Sequence, residues 1–467
     1  MPHRVSRSEL LRTTTAAGFA GLATTRAGLR NAGAAVASAP AVGGLLNTSI
    51  NKVERTWVEV PFRPVPDRNM KRELYHWRYA EICKVTLGCG VVGFGEAMVY
   101  VGGRPLSDET IGRVMGKKAA DVMWDDSLGR GLQQALFDAV GKVNDVPIYH
   151  LLGHKCRDRP FVSWWAIDMP GEDWASECKD AIAAGYTDFK TKARPWFDLD
   201  DQCGILTPTL PDHFKIDFDF NWTLLDTARA IRYCTALEKY RHIAIWETPI
   251  PQGDVEGNKL LRKRTTIPIA HHFGNPPIMT ALREEVCDGF VIWGGATRMM
   301  NDATVAGAAA KPCWLQQVGT GITATFSLHM GAVLSHARWP AVNCHQIYTS
   351  PMVTPAMRVE NGTAAVPERP GLGVDLDEDA VERFRVEPLK ERPYPHPGQL
   401  LAIRWPTGAT SYYTHNHQYF DSFRAGKLPL YPRGVYLESI PDNGSREWME
   451  LQARAKKKAI HSSGRPL

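Results

Sequence analysis

The sequence predicts an α/β chain, a closed parallel barrel of repeated strand-plus-helix units entered through a small α+β domain and followed by a C-terminal extension. Three observations predict it. Four apolar runs each end in groups able to handle protons or a cation: GYTDFKTK closing on Lys190 and Lys192, HFKIDFDFNW with Asp217, Asp219 and Asn221, HIAIWETP with Glu247, and IPIAHHFG with His271 and His272. Lys192, Asp217, Glu247 and His271 follow one another at intervals of 25, 30 and 24 residues, the length of one strand and the helical crossover that a parallel neighbour requires. The polar residues fall at the C-terminal ends of the runs, which in a closed parallel barrel face a common mouth.

Residues 1–45 read as an export-signal-like leader. Arg4, Arg7 and Arg12 precede a weakly apolar run of small residues, and Ala37-Ser38-Ala39 offers a cleavage site. The pattern resembles a twin-arginine signal with Ser8 where the second arginine belongs, so a periplasmic or otherwise exported protein is expected, with a cytoplasmic one as the alternative. Residues 50–150 open with period-two segments, TWVEVPF and ELYHWRYAEICKVTLGCGVVGFGEAMVYV, broken by glycine. They continue with helical spacing through LGRGLQQALFDAVGKVNDVPIYHLLG, with Pro147 after the helix end. This is the α+β unit. The barrel and a return to that unit occupy 151–387. The extension, 388–467, starts in the Pro-rich EPLKERPYPHPGQL, carries an aromatic stretch that must pack on something, and ends in SREWMELQARAKKKAI, an amphipathic helix capped by Ser445.

A charge of +5 over 467 residues is too small to indicate a nucleic-acid partner. Nine cysteines without paired spacing give no zinc or disulfide framework. No run approaches the roughly 20 apolar residues of a membrane span, so no membrane partner is expected once the leader is removed.

GVVGFGEA at 90–97, LQQALFDAVGKVNDVPIYHLLG at 132–153, Lys190-Thr-Lys192, Asp217-Phe-Asp219, WETP at 246–249, Gly294-Gly295 and PGLGVDLDEDAV at 370–381 occur in one order. Together they resemble the mandelate racemase and muconate lactonizing enzyme branch of the enolase superfamily, as a divergent member, over about residues 53–385. The resemblance implies a modified (β/α)8 TIM-type barrel under an α+β capping domain, an oligomer of identical subunits, Mg²⁺, and removal of a proton next to the carboxylate of a small acid or sugar acid. Such a carbon acid is far too weak for a lysine unless a divalent cation absorbs the charge forming on oxygen.

On that pattern Lys192 matches the base, with Lys190 expected to repel its proton and steer the carboxylate. Asp217 and Glu247 match the first two metal ligands. Asp219, Asn221, Gln316 and Gln317 are candidates for contacting the substrate, and Arg63, His76 and Tyr100 are further ones from the cap. The third ligand position falls on Phe273, which cannot bind a metal. Alternation along the strand favours His271 pointing inward as the substitute ligand, leaving His272 on the helix side unless the strand bulges, with an acid role open to it. An imidazole in the set would shift the preference toward Mn²⁺, Fe²⁺ or Zn²⁺. The sixth run, GFVIWGG, has no lysine, and the seventh, KPCWLQQVGTGI, has glutamine where a racemase places histidine. A one-base dehydration of a sugar acid is therefore expected first, an epimerase, racemase or cycloisomerase second, and a barrel that binds a sugar acid without turning it over third.

Overall fold

The computed structural model describes residues 46–101, 105–393, 396, 398–429 and 431–463; the leader lies outside the described residues. Strands β1 (Ile50–Glu59), β2 (Tyr79–Leu87) and β3 (Val92–Met98) form an antiparallel sheet in that order. The helix Arg130–Val143 packs on it. Glycines in GVVGFGEA make this possible: a Cβ on Gly93 would lie 2.1 Å from the Ala135 carbonyl oxygen, and one on Gly95 would lie 2.3 Å from that of Gly131. The remaining motif residues fasten the cap to the barrel. Buried Glu96 accepts from the Thr320 and Thr323 amides and the Thr320 hydroxyl, and buried Asp138 accepts from the amides of Phe94 and Leu372.

Eight parallel strands form the barrel. They are β4 (Val162–Trp165), β5 (Asp188–Lys192), β6 (Lys215–Asp219), β7 (Ile243–Glu247), β8 (Ile269–His272), β9 (Gly289–Ile292), β10 (Cys313–Leu315) and β11 (Ala341–Val342). β4 to β10 pair in sequence, β11 pairs with β4, and a Gln316–Val342 bridge links the two ends. A helix follows each strand from β4 to β10, and aspartates or threonine cap several of them: Asp198, Asp226, Asp254 and Thr320 each accept a first-turn amide. After β11 the chain returns to the cap, where the Val386 amide donates to Trp57.

The extension forms a four-stranded antiparallel sheet in the order Tyr436–Ser439, Leu401–Arg404, Thr410–Tyr413, Ile460–Ser462. Alternation divides its strands cleanly. Leu401, Ile403 and Tyr413 face the helix Asn416–Arg424 and also Trp196 and Phe197 from the loop after β5. Leu400, Ala402 and Tyr412 face the helix Arg446–Lys457, whose first turn Ser445 caps as expected. The aromatic stretch thus packs at the C-terminal end of the barrel, where Tyr431 also bonds Thr223 and the Ala193 carbonyl. All nine cysteines are free thiols, and all but Cys89 and Cys156 are buried. No helix among the described residues is long and apolar enough to cross a membrane.

One buried group gives the fold a pH dependence. His329 is fully buried, its Nε2–H donates to the Leu372 carbonyl at 3.0 Å, and burial pushes its pKa down to about 4. The unfolded chain takes up that proton near pH 6.5 while the folded chain does not, so stability falls as pH drops from 6.5 toward 4. The expected contribution at pH 5 relative to pH 7 is about 2 kcal/mol from this group. Urea unfolding at the two pH values should show that difference shrinking in His329→Gln; an unchanged difference would assign it elsewhere.

Candidate functional site

Register sets the depth of each candidate side chain. Lys190 lies beside Asp217, and Asp217 beside Ile245. One layer nearer the mouth, Lys192 lies beside Asp219, Asp219 beside Glu247, and Glu247 beside Ala270. His272 shares the face of Ala270 and reaches back to Glu247, with Nε2 at 3.1 Å from Oε1. Lys192, Asp219, Glu247 and His272 therefore converge, with Lys190 and Asp217 beneath them.

Charge is balanced by pairs. Lys192 Nζ is 2.5 Å from Asp219 Oδ2, and Lys190 Nζ donates to Glu247 while lying 3.9 Å from Asp219 and 5.0 Å from the Trp314 ring. Lys190 and Glu247 are completely buried. Burial works against the Lys190 ammonium, but Glu247, Asp219 and Asp217 outweigh it and hold its pKa above the ordinary lysine value. Burial likewise raises the Asp219 carboxyl, and Lys192, Lys190 and Arg194 overcome that and hold it below the usual range. Asp217 goes the other way: burial, reinforced by Asp188, pushes it well up.

Several expectations are corrected here. The two histidines exchange roles in orientation: His271 is fully buried on the helix side, its Nε2 3.1 Å from Asn258 Oδ1, while His272 is at the mouth. Its parity follows from the β7–β8 register, which faces Ala270 inward. Asp217 lies a layer below Glu247, and Asp219 takes the level beside it. Lys190 is turned to Glu247 in the interior, away from any approaching carboxylate, and the nearest charge to Lys192 is Asp219. Gln317 faces the helix Ala296–Ala308, its amide nitrogen 3.0 Å from Met299 Sδ, whereas Gln316 keeps the inward face of Trp314. Asn221 is held at the mouth, accepting from Arg194 at 2.9 Å. Of the cap residues, Arg63 is engaged by Glu177 and Asp180, His76 by Arg392, and Tyr100 by the Glu391 carbonyl.

The donor set tests the implied metal. Asp217 Oδ1 is a buried oxygen with no hydrogen-bond partner, and Glu247 Oε1 has only the His272 ring nearby. A cation could satisfy both. Yet among the described residues no three His, Cys, Asp or Glu side chains are grouped to hold one. Asp217 is in the lower layer, Glu247 is taken by the Lys190 ammonium, and Phe273 packs its ring 5.3 Å from that of Phe290. As arranged, the residues do not fit a divalent ion; the cations among these carboxylates are Lys190 and Lys192.

Sequence reading missed Arg194. It continues the inward alternation of Lys190 and Lys192, is nearly fully buried, and reaches Asn221, the Asp219 carbonyl and Glu73. Extending the Lys-Thr-Lys pattern by one more pair would have found it.

The enolase C-terminal domain-like family model matches residues 173–380, ending before the extension. D-xylonate dehydratase of Haloferax volcanii is 25% identical over 74% of this chain and 91% of its own length. N-succinyl-L-Arg/Lys racemase of Bacillus cereus is 24% identical over 65% and 90%. Among solved structures, 2-chloromuconate cycloisomerase of Rhodococcus opacus superposes with a TM-score of 0.60 at 19% identity, covering 72% of this chain and 99% of that one.

Proposed function

We propose that this chain is a member of the enolase superfamily, in its mandelate racemase/muconate lactonizing enzyme branch, and that it dehydrates a small sugar acid by removing the proton α to the carboxylate. The observation that carries the reading is the convergence of Lys192, Asp219, Glu247 and His272 at one barrel mouth. Dehydratases among the relatives support the choice of elimination over isomerisation, as does the lack of a second basic side chain on β9 and β10.

In this reading Lys192 parts from Asp219, gives its proton to solvent and, as the neutral amine, takes the α-proton. His272 gives a proton to the β-hydroxyl, whose C–O bond breaks as the C–C double bond forms. Water leaves, and the resulting enol tautomerises, gaining a proton at C3 and losing its hydroxyl proton, to give a 2-keto-3-deoxy acid. Glu247 holds His272 in place. No step is assigned to a metal. The leader motif makes export part of the proposal.

A second reading, a barrel that binds a sugar acid without turnover, is favoured by one observation: among the described residues no three metal-donor side chains are grouped together. Incubation with a panel of aldonic acids separates the two. Accumulation of a 2-keto-3-deoxy acid, undiminished by a chelator, is the expected result. Binding without product selects the second reading, and product lost on chelation would show that a metal assembles in the site after all.

A further inference from the structure

We infer that the C-terminal extension completes an anion subsite next to Lys192, built for a second negatively charged group at the far end of a hydroxylated acid. This rests on the proposed reading for the position of the reacting carbon.

A cavity of about 350 Å³ lies where the three parts of the molecule meet, within the range of small-ligand sites. The cap contributes Glu73, the barrel Arg194, Asn221 and Trp222, and the extension Asn416 and Arg424. Arg194 and Asn416 are 3% and 5% exposed. Arg194 Nε, Asn416 Oδ1 and Glu73 Oε2 are buried without a hydrogen-bond partner. Leaving one such atom unmet costs about 1–3 kcal/mol; the Arg194 N–H calls for an acceptor such as an anion, and the two oxygens call for donors such as the hydroxyls of the same ligand.

The charge of the lining indicates what fills it. Arg194, Arg392 and Arg424 line the cavity with one carboxylate, Glu73; Arg194 lies 3.4 Å from Glu73, Arg392 bonds His76, and Arg424 lies 4.0 Å from Asp421. Arginine matches carboxylate and phosphate in a planar fork. Arg424 is held over the rings of Trp222 and Phe420, at 5.0 Å and 5.2 Å. Trp222 itself is 43% exposed and offers an apolar face to a carbon chain.

The residues just beyond β5 and β6 lead from the mouth to the subsite. Arg194 is two residues beyond Lys192 and Asn221 two beyond Asp219, and the Asn221 amide donates to Asp219 Oδ1 at 2.7 Å. An acid whose α-carbon lies at Lys192 extends its other end toward Arg194 and Arg424. The carbon chain then passes Trp222.

Calorimetric titration of the full-length protein with a six-carbon hydroxylated dicarboxylate and with the monocarboxylate that has CH₂OH at the second end tests this. The native protein should prefer the dicarboxylate by about 10-fold or more, the worth of one charge-assisted hydrogen bond. Arg424→Ala, at a half-exposed position that folding tolerates, should bring the two acids to equal affinity, Arg424→Lys should recover part of the preference, and Lys192→Ala should keep it whole. Tighter binding still of the 6-phosphate of the same acid would identify the anion as phosphate and support the subsite. Equal affinities in the native protein, or a preference that survives Arg424→Ala, would overturn it. Preference without turnover would refute the dehydratase reading and leave the subsite standing; turnover without preference would do the opposite.

Discussion

Replacing Lys192 with alanine is expected to lower turnover of a sugar acid by about 10²–10⁴-fold, the usual worth of a positioned general base. Binding should change little, because the lysine's partner in the resting site is Asp219 rather than a group that holds the acid. The signature is thus a fall in kcat with KM nearly constant. Lys192 is the lysine of the pair that retains access to the mouth, its side chain 15% exposed against 1% for Lys190. A variant that keeps most of its turnover would move the proton transfer to another group, with His272 the next candidate.

The second large effect is on stability. Lys190→Met removes the ammonium that touches Glu247 in the interior and leaves that fully buried carboxylate with only the His272 ring beside it among the described residues. Breaking a buried pair from one side costs about 3–5 kcal/mol, because the charge left behind has neither water nor a counter-ion. Asp219 loses a second neighbour at the same time. The double variant Lys190→Met, Glu247→Gln removes both charges and should recover much of the loss. Denaturant midpoints for the native, single and double variants measure this directly. A single variant as stable as the native protein would mean that Lys190 is not the cation holding these carboxylates together.

The barrel was legible because its signals are local. Apolar runs at regular intervals with polar C-terminal ends give the strands, and the order of motifs from Gly93 to Gly373 reflects real fastenings. Glu96, Asp138 and the glycines beside them hold cap, barrel and return segment in contact. What failed was parity and depth. Along IPIAHH both faces of a parallel strand are buried, so alternation alone carries no mark of which face is inner. The pairing of Glu247 with Ala270 decides it, and that is a long-range fact. Asp217 and Asp219 present the same difficulty, since both face inward and only the register with β7 says which one stands level with Glu247. The extension gave its terminal helix and the need of its aromatics for a partner, but not the partner. Trp196 and Phe197 lie more than 200 residues earlier, in a loop whose sequence carries no sign of what covers it.

The central claim is that the lysine at this mouth removes a proton from carbon. Incubating the protein with hydroxylated carboxylates in D₂O and following the α-position by NMR tests it without requiring that elimination go to completion. The account predicts loss of the α-proton signal with the native protein, from exchange or from conversion to product, and none with Lys192→Ala. Native protein that binds an acid tightly and leaves its α-proton in place would contradict the account.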